Sequence, residues 1–265
     1  MSLALSKALW RYRGFVFGGV KREFQARYRN SLLGAAWTVL QPLAMITVYT
    51  VVFSQLMQAR LPGVNDPFAY SIYLCSGLLT WGLFAEIVQR CQTVFLDNGN
   101  MIKKLSFPRI CLPTIVVCSA LVNFAITFAV FMVFIVITGH LPGLVLLGML
   151  PVLVFHVMFA TGLGIAVGVL NVFFRDVGQF INILLQFWFW FTPIVYSTAT
   201  LPVAVRPWIR FNPLTSFAEA YQGIFVNRLW PHWSSLWPSV VLSLILCFFA
   251  LRLFRKRSSE MVDEL

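Results

Sequence analysis

The sequence predicts an all-α integral membrane protein with six spanning helices, and three observations predict it. Hydrophobic residues make up 59% of the 265 residues, charged residues only 11%, and the mean hydropathy is +0.81. A soluble domain is nearer about 45–50% apolar and about 25% charged. The charges also gather between long charge-free windows of 30, 19, 65, 29 and 23 residues. A spanning helix needs about 20 mainly apolar residues. Finally, the basic residues divide unevenly across the resulting layout, sixteen against four. By the positive-inside rule this puts both termini in the cytoplasm.

The spans follow in order: 34–57, 69–90, 110–138, 144–171, 178–197 and 236–254. The longest window holds two of them, because Gly139-His140-Leu141-Pro142-Gly143 punctuates its middle. The whole chain, 1–265, reads as a single transmembrane domain without an internal repeat. Pro113, Pro151 and Pro193 fall inside spans and are expected to kink or interrupt them.

Before the first span, residues 1–33 form a basic arm with no compact apolar core or cleavage site of a signal peptide. Leu9, Tyr12, Val16, Val20, Phe24 and Tyr28 recur at steps of three or four with cations between them. That spacing predicts a helix in the cytoplasmic headgroup layer, bent at Gly18-Gly19. The net charge of +11 needs no nucleic acid to explain it, since basic segments beside a membrane face anionic lipid.

In the fourth span, Ala160, Gly164 and Gly168 recur at steps of four, a spacing that lets helix backbones approach closely. The neighbour is either in the same subunit or in another. Between spans two and three, residues 96–108 carry a turn at Asn98-Gly99, the basic-apolar stretch MIKKLSF (101–107) and Pro108. This predicts one short helix along the membrane face. Residues 198–235 contain Arg206, Arg210, Glu219 and Arg228 and cannot form one ordinary span. Within them 214–226 reads as an amphipathic helix started by Asn212-Pro213. It either dips into the outer leaflet and returns or rests on the bilayer.

Reactive chemistry is sparse. His140, His156 and His232 are scattered, the five cysteines show no CxxC spacing, and no nucleotide loop is present. No metal site and no cofactor are expected in this chain. Glu86 is the one acid inside a predicted span; Arg90 four residues on makes a helical ion pair the simple account.

The conspicuous stretch is QFWFWFTPIVYS, 186–197, in which six of twelve residues are aromatic. Counted from Gly178, Phe187 to Phe191 lie roughly 14–20 Å into a core about 30 Å thick. That is mid-depth, not a headgroup belt. On a continuous helix Phe187, Trp190, Phe191 and Ile194 share a face. Two indole N–H groups at that depth need acceptors, which a polar cavity would supply. Lipid or packed core accounts for some of these rings; for part of the cluster the pattern suits a pathway for cargo with apolar C–H faces and many hydroxyls.

Three segments carry a resemblance to a known family. RYRNSLLGAAWTVLQPL (27–43) resembles the start of the first span in permeases of polysaccharide and polyol-phosphate ABC exporters. NMIKKLSFPRICLP (100–113) is similar to that family's coupling loop, and NPLTSFAEAYQGIF (212–225) to its stretch before the last span. The resemblance covers nearly the whole chain. It implies a homodimer with two copies of a cytoplasmic ABC ATPase, which binds ATP and Mg in this chain's stead. It implies export of a lipid-linked polysaccharide (O-antigen, capsule or teichoic acid precursor) across the bacterial plasma (inner) membrane. Carried onto this sequence, the channel-lining aromatics are Trp37, Tyr49, Phe187, Trp190 and Phe191. The ATPase-coupling residues are Asn98, Met101, Lys103, Lys104 and Phe107. Arg27 and Arg29 meet the lipid pyrophosphate, and Asn212, Pro213, Glu219 and Tyr221 belong to an outer gate of short helices. The alternatives are a permease of this fold for a drug or lipid, a membrane-embedded transferase on lipid-linked sugars, and a non-transporting scaffold.

Overall fold

A computed structural model describes residues 10–28, 33–56, 61, 66–104 and 107–264. Among these residues the secondary structure is helical throughout, with no strand. The helices are α1 (Arg13–Tyr28), α2 (Trp37–Tyr49, continued by a π-turn over Thr50–Leu56), α3 (Ala69–Asp97) and α4 (Gly99–Lys104). They continue with α5 (Cys111–Ile137), α6 (Met149–Phe173), α7 (Asp176–Phe191) and α8 (Arg206–Phe211). The last are α9 (Pro213–Gln222, continued over Gly223–Asn227), α10 (Trp233–Arg257) and α11 (Glu260–Glu264).

Among the described residues, four helices are long and apolar enough to cross a membrane: Ala69–Asp97, Cys111–Ile137, Gly143–Phe173 and Trp233–Arg257. α2 is a shorter apolar helix, and α7 has 16 residues, about 24 Å of helix. α3 is the central element and packs against α6, α5, α9 and α7. Its buried residues, among them Ile72, Phe84, Ile87 and Cys91, surround nearly its full circumference. α10 closes on the far side of α6.

The small residues of α6 set how closely these helices approach, and the neighbours are in the same subunit. A Cβ on Gly168 would lie 2.3 Å from the Cys91 carbonyl oxygen of α3, and one on Gly164 2.7 Å from Cys91 Cβ. Gly162 faces α10 instead, where a Cβ would lie 2.9 Å from the Cys247 amide. α6 therefore presents glycine to both flanking helices. Asn171, only 3% exposed, then ties the α6–α7 corner to α3. Its Nδ2 donates to the Gln92 carbonyl at 2.8 Å, and its Oδ1 accepts the Gly178 amide at 2.9 Å.

Of the prolines expected to kink or interrupt spans, Pro193 interrupts its span, because the helix ends at Phe191. Pro113 sits in the first turn of α5, where a missing N–H breaks no helical bond, and Pro151 sits where the tighter 3-10 stretch Gly143–Gly148 passes into α6. Pro193 lies beyond the end of α7. Among the described residues, Pro42 of α2 and Pro238 of α10 lie inside helices beyond the first turn. α1 runs through Gly18-Gly19 without a break. A Cβ on Gly19 would lie 2.5 Å from Ile115 Cδ1, so this glycine admits the close approach of α5. Val16 is buried with Cys111 and Ile115, while Phe17 points away at 74% exposure.

At the other end of the bundle, Asp66 tethers the start of α3 to the α5–α6 corner. Its Oδ1 accepts the Phe68 amide at 2.8 Å, and its Oδ2 lies 2.5 Å from His140 Nε2. Burial pushes this carboxyl up, but the bonds from Phe68 and His140 prevail and hold it below its ordinary 3.8. A lowered carboxyl contributes stability above its unfolded value and loses it as pH falls through the folded one. The tether is one-third exposed on the Asp66 side, so less than about 1 kcal/mol is expected. His140→Ala should lower the thermal midpoint near pH 6 and converge on the wild type near pH 3. Superposed melting curves at both pH values would remove the tether from the account.

Candidate functional site

α7 carries the aromatic run. Phe180, Ile183, Leu184, Phe187, Trp190 and Phe191 lie on one side of it, and all are exposed in the single chain. Phe187, Trp190 and Phe191 are 62%, 64% and 61% exposed. Their spacing of three and four makes a continuous stripe along the helix. The opposite side is inward: Ile181 and Leu185 are buried, and the Trp188 ring meets Phe84 of α3 edge-on at 5.3 Å. Phe189 turns toward Trp81, with ring centroids 5.5 Å apart.

The helix ends at Phe191, because the residue before a proline is pushed out of the α region; Thr192 has φ −101° and ψ 132°. Ile194 therefore does not extend the stripe and is fully buried instead. The turn over residues 192–197 is covered by protein. Tyr73 Oη donates to the Pro193 carbonyl at 3.1 Å and to the Tyr196 carbonyl at 2.9 Å, and Gln222 Nε2 donates to Pro193 O at 3.0 Å. Irregular backbone in a membrane protein needs such cover.

Asn212 is the hub of this region. Its Oδ1 accepts from Trp188 Nε1 at 2.8 Å and from the Leu214 amide at 3.0 Å, which caps α9. Its Nδ2 donates to Phe191 O at 3.2 Å and Thr192 Oγ1 at 2.9 Å. One of the two mid-run indoles is thus answered by an asparagine side chain, not by a cavity, which corrects that part of the sequence argument. Pro213 opens α9, and Glu219 accepts the Thr198 hydroxyl at 2.9 Å. Tyr221 is 1% exposed and packs edge-on to His156 at 6.0 Å, so it is a core residue.

The remaining sequence-selected residues lie elsewhere. Trp37 is exposed on α2, and Tyr49 lines a cavity between α2, α3 and α5. α2 packs on α5 and α3 while α7 packs on α6 and α3, so the two sets of rings flank α3 from different sides. Asn98 donates to the Val94 carbonyl at 2.8 Å and closes α3. α4 follows with Lys103 and Lys104 exposed and Met101 half-buried. Phe107 packs against Phe15 of α1, ring centroids 5.0 Å apart and planes tilted by 35°, which joins the loop to the arm. Arg27 belongs to the last turn of α1, and Arg29 lies outside the described residues.

Two anchors of α4 escaped the sequence reading. Ile102 is buried among the core residues, and so is Met261 of α11, which packs beside α4 and α6. Arg109 holds this C-terminal helix by donating to the Ser258 carbonyl and, at 2.9 Å, to its hydroxyl. A lone methionine in a polar tail carries no periodic signal that could have shown this.

Among the described residues no three His, Cys, Asp or Glu side chains gather as metal ligands. The fold and site define a polytopic helical membrane protein whose distinctive surface is a stripe of rings rather than a set of reactive groups. The chain belongs to the ABC-2 type transporter family, whose model matches residues 16–226. It is 30% identical over 265 residues to the O-antigen export system permease protein RfbA of Myxococcus xanthus, covering 99% of this chain and 100% of that one. The Klebsiella pneumoniae protein of the same name is 30% identical over 207 residues, 78% of each chain. The polysialic acid transport protein KpsM of Escherichia coli is 21% identical over 251 residues, 91% of this chain and 92% of that one.

Proposed function

We propose that this chain is the membrane-spanning subunit of an ATP-driven exporter that moves a lipid-linked polysaccharide across the bacterial inner membrane. The observation that carries the reading is the exposed ring stripe of α7, on a chain that matches an O-antigen export permease from end to end. Apolar side chains exposed in the single chain can rest against acyl chains, as Val133, Val136 and Ile137 of α5 can; the α7 stripe differs in setting three exposed rings within five residues, which suits sugar faces. In the proposed assembly two copies pair, and α7 and α2 of each border a central path, with Trp37, Tyr49, Phe187, Trp190 and Phe191 along it. α2 and α7 serve as the first and fifth of six spans, and both termini are cytoplasmic.

ATP and Mg belong to a separate pair of ATPase subunits. These dock at α4, where Lys103 and Lys104 are exposed while Ile102 anchors the helix to the core. A push on α4 reaches the spans through Asn98 at the end of α3 and through Phe107 on Phe15 of α1. Such a push shifts the bundle only insofar as the ATPase pair interacts differently with its two states. Arg27 and Arg29 lie near the lipid pyrophosphate, and α8, α9 and the turn over 192–197 form the outer gate. Stacking on rings is weak per sugar, so it guides a long chain without stopping it.

The test is a strain lacking this gene, complemented with wild type or with Phe187→Ala, Trp190→Ala and Phe191→Ala together. Export should fall ~10-fold with the triple variant, about 1.4 kcal/mol of barrier. Finished glycan should accumulate inside while its synthesis and the level of the protein are unchanged. Normal surface glycan with the triple variant would discard the ring-lined path. Loss of glycan synthesis itself in the deletion strain would favour an enzyme.

A further inference from the structure

α7 exposes a second row of side chains beside its rings. Gln179, Asn182 and Gln186 stand at steps of three and four, and all are exposed in the single chain. At about 3.6 residues per turn they form one row, next to Ile183, Phe187 and Trp190 on the side away from Phe191. From Asp176 they lie roughly 4, 9 and 15 Å along the helix. Gln179 is thus near the inner border of a core about 30 Å thick, and Gln186 near its middle.

Other amides of the bundle are committed within their own subunit. Asn171, Gln222 and Asn212 bond to carbonyls, a backbone amide and a hydroxyl. Asn182 is half committed. Its Oδ1 accepts from Gln92 Nε2 of α3 at 2.9 Å, and Gln92 is 4% exposed. That bond fixes the amide and leaves Nδ2 a donor without a partner among the described residues. Gln186 has no hydrogen-bond partner among the described residues.

Acyl chains cannot answer such groups, so amides at mid-depth face water, another helix or a polar guest. A second helix fits poorly. Helices in a membrane approach closely over small residues, and beside these amides α7 carries Ile183, Phe187 and Trp190 instead. A sugar chain fits both rows. Its C–H faces suit the rings, and its hydroxyls donate and accept as amides do. A neutral amide replaces the water that a hydroxyl leaves behind, without the grip of a charge.

We propose that Asn182 and Gln186 form a hydrogen-bonding edge of the export path and bind hydroxyls of the passing glycan while the rings meet its faces. The inference rests on reading α7 as the span beside that path. The rings accept any sugar face; the amides make the path selective for chains that carry hydroxyls. Gln179, at the border, meets water and is not needed.

The experiment complements the deletion strain with Gln179→Leu, Gln186→Leu, the pair Asn182→Leu and Gln186→Leu, or the exchange Asn182→Gln with Gln186→Asn. Leucine keeps the bulk and removes the hydrogen bonds. Surface glycan should fall about 3-fold in Gln186→Leu and ~10-fold in the pair, the usual net effect of one and two hydrogen bonds. Gln179→Leu and the amide exchange should export like wild type. Purified Gln186→Leu should melt no lower than wild type, because it loses no bond within the subunit. Normal export by the leucine pair, where Phe187→Ala, Trp190→Ala and Phe191→Ala together lose it, overturns this inference and leaves the ring-lined path standing. Normal export by both variants overturns the two readings together. An exchange variant as defective as the leucine pair also overturns the inference, since shape and not hydrogen bonding would then matter. So does dissociation of a wild-type dimer in Gln186→Leu, read by light scattering, because the amide would then face a second copy. Asn182→Leu strands the Gln92 donor; should the pair fail to fold, Gln186→Leu decides alone.

Discussion

Gly168→Ala is expected to destabilise the bundle by about 3 kcal/mol, the upper part of the usual range for overpacking a core. The added methyl would fall 2.3 Å from the Cys91 carbonyl oxygen. That atom belongs to the backbone of the most buried helix, so no rotamer change relieves the clash, and α6 must move off α3. Gly164→Ala meets a different obstacle, since Cys91 Cβ lies at 2.7 Å. Cys91→Gly removes that atom, at a cost of roughly 1 kcal/mol for glycine in a helix. The second substitution should therefore recover part of the stability lost in Gly164→Ala and none of that lost in Gly168→Ala. Thermal midpoints of the purified variants in detergent, read by size-exclusion recovery, check both. Equal rescue of the two would mean that the carbonyl contact does not limit the approach of α3 and α6.

That ladder illustrates what a single sequence can carry. Steps of four between Ala160, Gly164 and Gly168 announce a close helix contact, because the spacing is local. Which helix fills the gap depends on Cys91, whose distance in the chain leaves no periodic trace. The same division holds at the candidate site. The Glu86–Arg90 pair was legible as neighbours one turn apart; Glu23, which also pairs with Arg90, comes from α1 and was not. The density of rings in 187–191 was plain, but their sorting was not. Trp188 and Trp190 differ only in which side of α7 they occupy, and that is settled by packing against Phe84 and Trp81. Pro193 did carry the signal that interrupts the span at its predecessor, whereas placing Ile194 on the same helical face as Phe191 ran past that signal. The turn beyond is held by Tyr73 and Gln222, hydrogen bonds between distant segments that no local pattern foretells.

Asn212→Ala should cost about 3 kcal/mol and disorganise the end of α7 without touching any exposed ring. Two losses add up to this. Removing an asparagine N-cap costs typically ~1 kcal/mol, here the cap of α9. Leaving the half-buried Trp188 N–H without its acceptor costs roughly 1–3 kcal/mol more. Trp188→Phe made in the Asn212→Ala background removes the orphaned donor, so the double variant should be less destabilised than the sum of the two single ones. Asn212→Asp separates the roles further. It keeps the acceptor for Trp188 and the cap for Leu214, but it loses the N–H groups donated to Phe191 and Thr192. Its stability should therefore fall between wild type and Asn212→Ala. If α9 and the end of α7 form the outer gate, export should fail in Asn212→Ala at temperatures where the protein is still present at wild-type level. Strict additivity of Asn212→Ala and Trp188→Phe would show that the indole bond contributes nothing. α7 would then be fixed at this end by the Asn212 amide bonds to Phe191 and Thr192 together with Tyr73 and Gln222.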